Sequence, residues 1–223
     1  MNAATMKYSF LSTFAASSIT HLYASYKSDR KLRAMTKPWL LLSLLGWYGY
    51  SVDDPLTIVI AALLTSWLGD VLLIPKGTKW FAAGGVSFMA SHVCFIVAYS
   101  RFVDFSAFPM WSVMLCAAAY LAASVMVFRG LEGCLPEGLT VPMFLYLLCN
   151  GAMNCFAMYQ LLTKPCPASV VTFIGALLFF LSDSTLFYVR FNKNSPFKTH
   201  FPVMLTYIIA EFLIVGGFIL HAK

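Results

Sequence analysis

Apolar stretches of about twenty residues follow one another along almost the whole of this 223-residue chain, separated by short charged segments. That pattern restricts the fold more than any other feature. A helix needs about 20 apolar residues to cross a hydrocarbon core of about 30 Å, and backbone in lipid has to satisfy its hydrogen bonds internally. The runs predict helices at 4–26, 38–52, 55–74, 80–100, 107–128, 139–162, 168–190 and 200–221. Composition agrees: 60% of the residues are hydrophobic and 11% charged, against about 25% charged in soluble domains. Mean hydropathy is +0.78. The expectation is an all-α, polytopic integral membrane bundle of about eight transmembrane helices, forming a single domain over 1–223 with no room for a soluble second one.

The first run is the most polar. It carries Ser9, Ser12, Thr13, Ser17, Ser18, Thr20 and His21. A signal peptide is the competing reading, since Lys7 precedes an apolar stretch, but no clear small-residue cleavage site follows and a retained helix is expected. Asp53, Asp54 and Pro55 predict a turn that divides 38–74 into two helices. The six cysteines form no C-x-x-C pair and read as small buried hydrophobes.

The net charge of +6 would suit a nucleic-acid binder, but its distribution excludes that. With eight spans, the alternate segments 27–37, 75–79, 129–138 and 190–199 hold Lys27, Arg30, Lys31, Arg33, Lys37, Lys76, Lys79, Arg129, Arg190, Lys193 and Lys198. The opposite side holds Lys7, Arg101, Lys164 and Lys223. The positive-inside rule then places both termini away from the cytoplasm. The basic excess reads as topology and contact with membrane lipids.

Ionisable residues inside the spans are functional candidates by default. They are Asp70, His92, Asp183 and Glu211. Asp70 and Asp183 lie on helices of the same direction, at a depth of roughly 7–11 Å from the cytoplasmic ends. "WLGDVLL" around one resembles "FLSDSTL" around the other, which raises a tandem repeat of the 3–4 and 7–8 helix pairs. Other polar residues recur at helical spacing: Ser66 with Asp70, Tyr207 with Glu211, Tyr146 with Asn150 and Asn154, and Thr13 with Ser17 and His21. Each stripe also reads as hydrogen-bonding glue between helices, His92 as a packing histidine, and Lys37 as a snorkelling anchor. No Lys or Arg within a span is available to the aspartates, so basic partners are expected from segment ends such as Lys37, Lys76 or Lys79.

At "GDVLL", "FMASHVCF", "LSDSTL" and "TYIIAE" the chain resembles the YhhN-like lysoplasmalogenase family over nearly its whole length. The resemblance implies an integral membrane hydrolase that cleaves the vinyl ether bond of lysoplasmalogens to a fatty aldehyde and a glycerophospho-ethanolamine or -choline. The family's Gly-Asp falls on Gly69 and Asp70, its Ser-Asp on Ser182 and Asp183, its Lys-Pro on Lys37 and Pro38, and its F-x-x-x-H on Phe88 and His92. The Tyr of its last helix falls on Tyr207. Phe95 stands where the family often has Tyr, and Glu211 where it often has Gln.

Vinyl ether hydrolysis begins with protonation of the β-carbon. It requires a general acid, an anion beside the resulting oxocarbenium ion and a base for water, a demand like that met by the paired carboxylates of glycosidases. Asp70 and Asp183 are the expected catalytic pair, one protonated and one ionised, with the assignment open. Lys37, Ser66, His92, Tyr146, Asn150, Tyr207 and Glu211 are expected to bind or support a lysophospholipid substrate, with Lys37 on its phosphate. No cofactor or metal is expected, because no two-His ligand spacing is present. The alternatives are a proton-coupled transporter and a metal-dependent lipid hydrolase using Asp70, His92, Asp183 and Glu211.

Overall fold

The computed structural model describes residues 2–107 and 110–222. Among them are eight α-helices and no strand: α1 (Ala3–Tyr26), α2 (Arg30–Gly49), α3 (Thr57–Leu72), α4 (Thr78–Ser100), α5 (Met110–Arg129), α6 (Thr140–Thr163), α7 (Pro167–Phe191) and α8 (Phe201–His221). The expected fifth helix included Phe108 and Pro109, which lie outside the described residues, as does Lys223. Helices α4 to α8 are long and apolar enough to cross a membrane, and α3 is apolar but has 16 residues.

The largest departure from the sequence expectation is α2. It starts at Arg30 instead of residue 38, and Pro38 sits inside it. Proline is favoured in the first turn of a helix, which is why it reads as the start. Here the start is set by Asp29, whose side chain accepts a 3.0 Å hydrogen bond from the Leu32 amide, as an N-cap aspartate does. The interior proline leaves the Ala34 carbonyl without its helical donor. The Pro38 carbonyl accepts from Trp67 Nε1 of α3 at 3.1 Å. Arg30, Lys31, Arg33 and Lys37 are therefore helical residues, and Arg30, Arg33 and Lys37 recur on one face.

Short connections make successive helices neighbours. The α3–α4 turn depends on Gly77, whose φ of 125° lies where only glycine is comfortable. Across α3 and α4, Ser66 and Ser91 meet at 2.7 Å and Ser91 reaches the Ala62 carbonyl at 2.9 Å. Across α7 and α8, Ser182 donates to the Val203 carbonyl at 3.0 Å. At Gly175 the two backbones come so close that a Cβ would meet the Ala210 carbonyl at 2.9 Å, the close approach that small residues permit in membrane helices.

The pairings repeat. Contacts α1–α2, α2–α3 and α3–α4 recur as α5–α6, α6–α7 and α7–α8, and the two sets meet through α2 on α8 and α4 on α6, with α1 also on α8 and no equally strong counterpart of α5 on α4. The repeat suggested by "WLGDVLL" and "FLSDSTL" thus has a counterpart in packing that includes the preceding helices. In the helix 1 stripe, Thr13 turns outward and bonds its own helix at Ser9, whereas His21 is buried and meets Thr36 of α2 at 2.8 Å.

Candidate active site

Asp70 on α3 and Asp183 on α7 are both buried, at 2% and 6% exposure. They line one cavity of about 680 Å³. Their partners differ in kind. Asp70 Oδ1 lies 3.0 Å from Lys37 Nζ, and its Oδ2 accepts from the Tyr207 hydroxyl at 2.9 Å. Asp183 Oδ2 accepts from the Tyr146 hydroxyl at 2.6 Å and from Asn150 Nδ2 at 2.7 Å. The nearest basic group to Asp183 is His92, whose Nε2 is 3.9 Å away. No hydrogen bond among the described residues reaches Asp183 Oδ1. Each aspartate is held by the helix before its own and approached from the last helix of the opposite set: α2 and α8 serve Asp70, α6 and α4 serve Asp183.

Asn150 is held in turn. Asn154 Nδ2 donates to Asn150 Oδ1 at 2.9 Å, and the Tyr120 hydroxyl of α5 donates to Asn154 Oδ1 at 3.0 Å. The polar stripe of α6 is a hydrogen-bonded row ending on Asp183. Such a row fixes the orientation of the carboxyl group, because the two donors on Asp183 Oδ2 are side chains of one helix and Asn150 is itself held by Asn154.

The cavity is polar at one end and apolar at the other. At the loop end its wall includes Arg30, Arg33 and Lys37 of α2, Lys76 before α4, Arg190 at the end of α7 and His200 before α8. His200 is pushed down to about 4 by its burial and by the nearby Arg33, Lys37 and Arg190, so at neutral pH its ring is uncharged. Between α4 and α6 the wall includes Val86, Val141 and Leu145, which are also more than half exposed on the outside of the bundle. There the cavity reaches the surface that a bilayer would cover.

Of the residues singled out from sequence, Lys37, Asp70, Tyr146, Asp183 and Tyr207 line the cavity. Ser66, His92, Asn150 and Glu211 do not. Ser66 ties α3 to α4. His92 packs edge-on to Phe179, ring centroids 5.1 Å apart, and beside Tyr146 at 5.2 Å. Lys37 is the basic partner expected from a segment end: its ammonium is on Asp70, because the early start of α2 carries it into the bundle. Sequence reading missed Arg33, Arg190 and His200, which line the cavity. The i, i+3, i+7 spacing of Arg30, Arg33 and Lys37 was the available signal, hidden by placing all three in a loop.

Glu211 is 1% exposed and off the cavity. Glu211→Gln, nearly isosteric, is expected to keep turnover within about threefold of the parent. A kcat and KM comparison of the two proteins checks this, and a loss on the scale of an aspartate variant would make Glu211 part of the machinery.

Fold and site together define a helical, multi-pass membrane protein with two buried aspartates on a shared cavity. Within that class the chain belongs to the YhhN family, whose model matches residues 32–218. It is 30% identical over 161 residues, 72% of its length, to proteins named lysoplasmalogenase from Mycobacterium bovis and Mycobacterium tuberculosis. That stretch is 59% of each relative, so the match takes in less than two thirds of those proteins. It is also 30% identical over 169 residues to the uncharacterized membrane protein YhhN of Escherichia coli O157:H7, covering 72% of this chain and 74% of that one. No solved structure matches it.

Proposed function

We propose that this protein is an eight-span, single-domain membrane hydrolase that cleaves the vinyl ether bond of lysoplasmalogens, with the basic loops cytoplasmic and both termini on the other side. The observation that carries the reading is the unequal pairing of two aspartates on one cavity. An ammonium 3.0 Å away and a hydroxyl donor on the other oxygen both favour the ionised form of a carboxylate. Asp70 is therefore the anion. Asp183 has neutral donors and no cation at hydrogen-bonding distance, so it carries the proton, on the Oδ1 that takes no other bond.

The chemistry follows from that division. Asp183 delivers its proton to the β-carbon of the vinyl ether, and the π electrons form the new C–H bond. The α-carbon becomes an oxocarbenium centre, which the Asp70 carboxylate stabilises. Tyr146 and Asn150 hold the negative charge left on Asp183. Water adds to the α-carbon as a carboxylate accepts its proton, and the hemiacetal collapses to a fatty aldehyde and the glycerophospho-alcohol. One water is consumed and no redox change occurs. The apolar wall between α4 and α6 accommodates a single hydrocarbon chain, while the basic end accommodates the head.

The test is an assay of purified protein on 1-alkenyl lysophosphoethanolamine and lysophosphocholine, with and without chelator. Fatty aldehyde and glycerophospho-alcohol are expected in equal amounts, chelator or not. The saturated 1-alkyl analogue should be inert, because it has no double bond to protonate. Absence of aldehyde from both substrates would overturn the proposal. Activity abolished by chelator and restored by zinc would assign the reaction to a metal, although among the described residues no three His, Cys, Asp or Glu side chains gather as a ligand set.

A further inference from the structure

Arg30, Arg33, Lys37, Lys76 and Arg190 bring five permanent positive charges to one end of the cavity. Among the described residues only Lys37 has an anionic partner. The cavity wall offers no other carboxylate: its acidic residues are Asp70, taken by Lys37 and Tyr207, and Asp183, taken by Tyr146 and Asn150. Lys27, Lys31, Lys79, Lys193 and Lys198 are exposed and off the cavity, whereas the five basic residues above line it, Arg33 and Lys37 being partly buried. Arg33 is partly buried, and its Nε is a buried donor without an acceptor, an arrangement that costs free energy until an acceptor arrives. The Arg190 guanidinium lies over the Phe81 ring, 5.2 Å from its centroid, which holds the fork in place before any ligand binds.

We infer that Arg33 and Arg190, with His200 between the ends of α7 and α8, form a phosphate-ester subsite that reads the anion of a single-chain phospholipid and leaves its amine unread. Arginine presents a planar fork of donors that matches phosphate oxygens in pairs. His200 adds a neutral N–H donor. An ammonium head group, in contrast, finds cations around it and no free carboxylate, so ethanolamine and choline heads are equivalent to this wall. The identity of the lipid rests on the hydrolase reading, whereas the anion subsite is a property of the wall itself.

Binding is therefore measured without turnover, on the purified full chain in an uncharged maltoside detergent. The ligands are saturated 1-alkyl-glycerophosphocholine, 1-alkyl-glycerophosphoethanolamine and 1-alkylglycerol of one chain length. The two phospholipids should bind within about threefold of each other, and alkylglycerol at least roughly tenfold more weakly, the scale of one charge-assisted hydrogen bond. Arg33→Gln and Arg190→Gln should each weaken phospholipid binding roughly tenfold or more and leave alkylglycerol binding unchanged, a pattern that a folding defect cannot produce. Lys193→Gln, off the cavity, should change neither.

Inorganic phosphate separates the two sources of the anion. Displacement of the phospholipid only above roughly 10 mM phosphate is expected for a lipid-borne ester, which gains most of its hold from the attached chain. Displacement at micromolar phosphate would assign the site to the free ion and overturn the head-group assignment. Equal binding of alkylglycerol and phospholipid, or unchanged binding in both arginine variants, would overturn the subsite. Loss of aldehyde production with this binding pattern intact would count against the hydrolase reading alone.

Discussion

Asp183→Asn should lower lysoplasmalogen turnover by about 10²–10⁴, the usual worth of a positioned general acid, while the protein stays folded and binds the saturated ether analogue as before. Asparagine preserves the shape of the side chain, and its carbonyl oxygen can still accept from Tyr146, so the fold loses little. What it cannot do is supply a proton to carbon. Asp70→Asn should lose activity on the same scale by removing the anion beside the oxocarbenium ion. The double variant should be little worse than either single one, because groups that act as a unit are not additive. Steady-state kinetics on purified variants, with binding measured in parallel, checks all three. A stable Asp183→Asn protein with full activity would remove the acid from the mechanism.

Lys37→Met should cost about 3–5 kcal/mol of stability, the range found when one partner of a buried ion pair is deleted and the other charge stays behind. Asp70 is buried and Lys37 largely so, with side chains 2% and 14% exposed, so little solvent is available to Asp70 once the ammonium is gone. Adding Asp70→Asn to Lys37→Met should restore most of that stability without restoring activity. Unfolding in mixed micelles, followed by loss of helical signal, measures the first effect, and the aldehyde assay the second. If Lys37→Met were as stable as the parent, or the double variant as unstable as the single one, the ion pair would not be what holds α2 to α3 at this depth.

How much of this was visible in the sequence depends on the kind of information each feature carries. Helices α4, α6, α7 and α8 fall within two residues of their expected limits, since each is a lipid-length apolar run closed by a breaker: Gly77 ahead of α4, Lys164 to Pro167 between α6 and α7. The start of α2 was hidden because a charged first turn does not look like a span, and because Pro38 suggests a beginning where the structure has a middle. The two aspartates stand out because charge is rare in apolar sequence. Their partners do not, because those are made by packing between distant segments: Tyr207 and Asp70 are 137 positions apart. Tyr146 and Asn150 were legible as a stripe on α6, yet nothing local indicates that the stripe faces α7.

The repeated packing of the helices has a consequence for how such a site comes to exist. A scaffold built from two like units offers two like seats for a carboxyl group, and two like seats would give both groups the same charge state. Two anions have no proton to give, and two neutral acids have no charge to set beside a cation. Here the symmetry is broken by the helix ahead of each aspartate: Lys37 on one side, Tyr146 and Asn150 on the other. The motif a reader sees first, the matched pair of aspartates, is the symmetric part. On the proposed mechanism the division of labour lies in the unmatched residues around it, and a relative that keeps both aspartates while losing that mismatch should keep the architecture and lose the reaction.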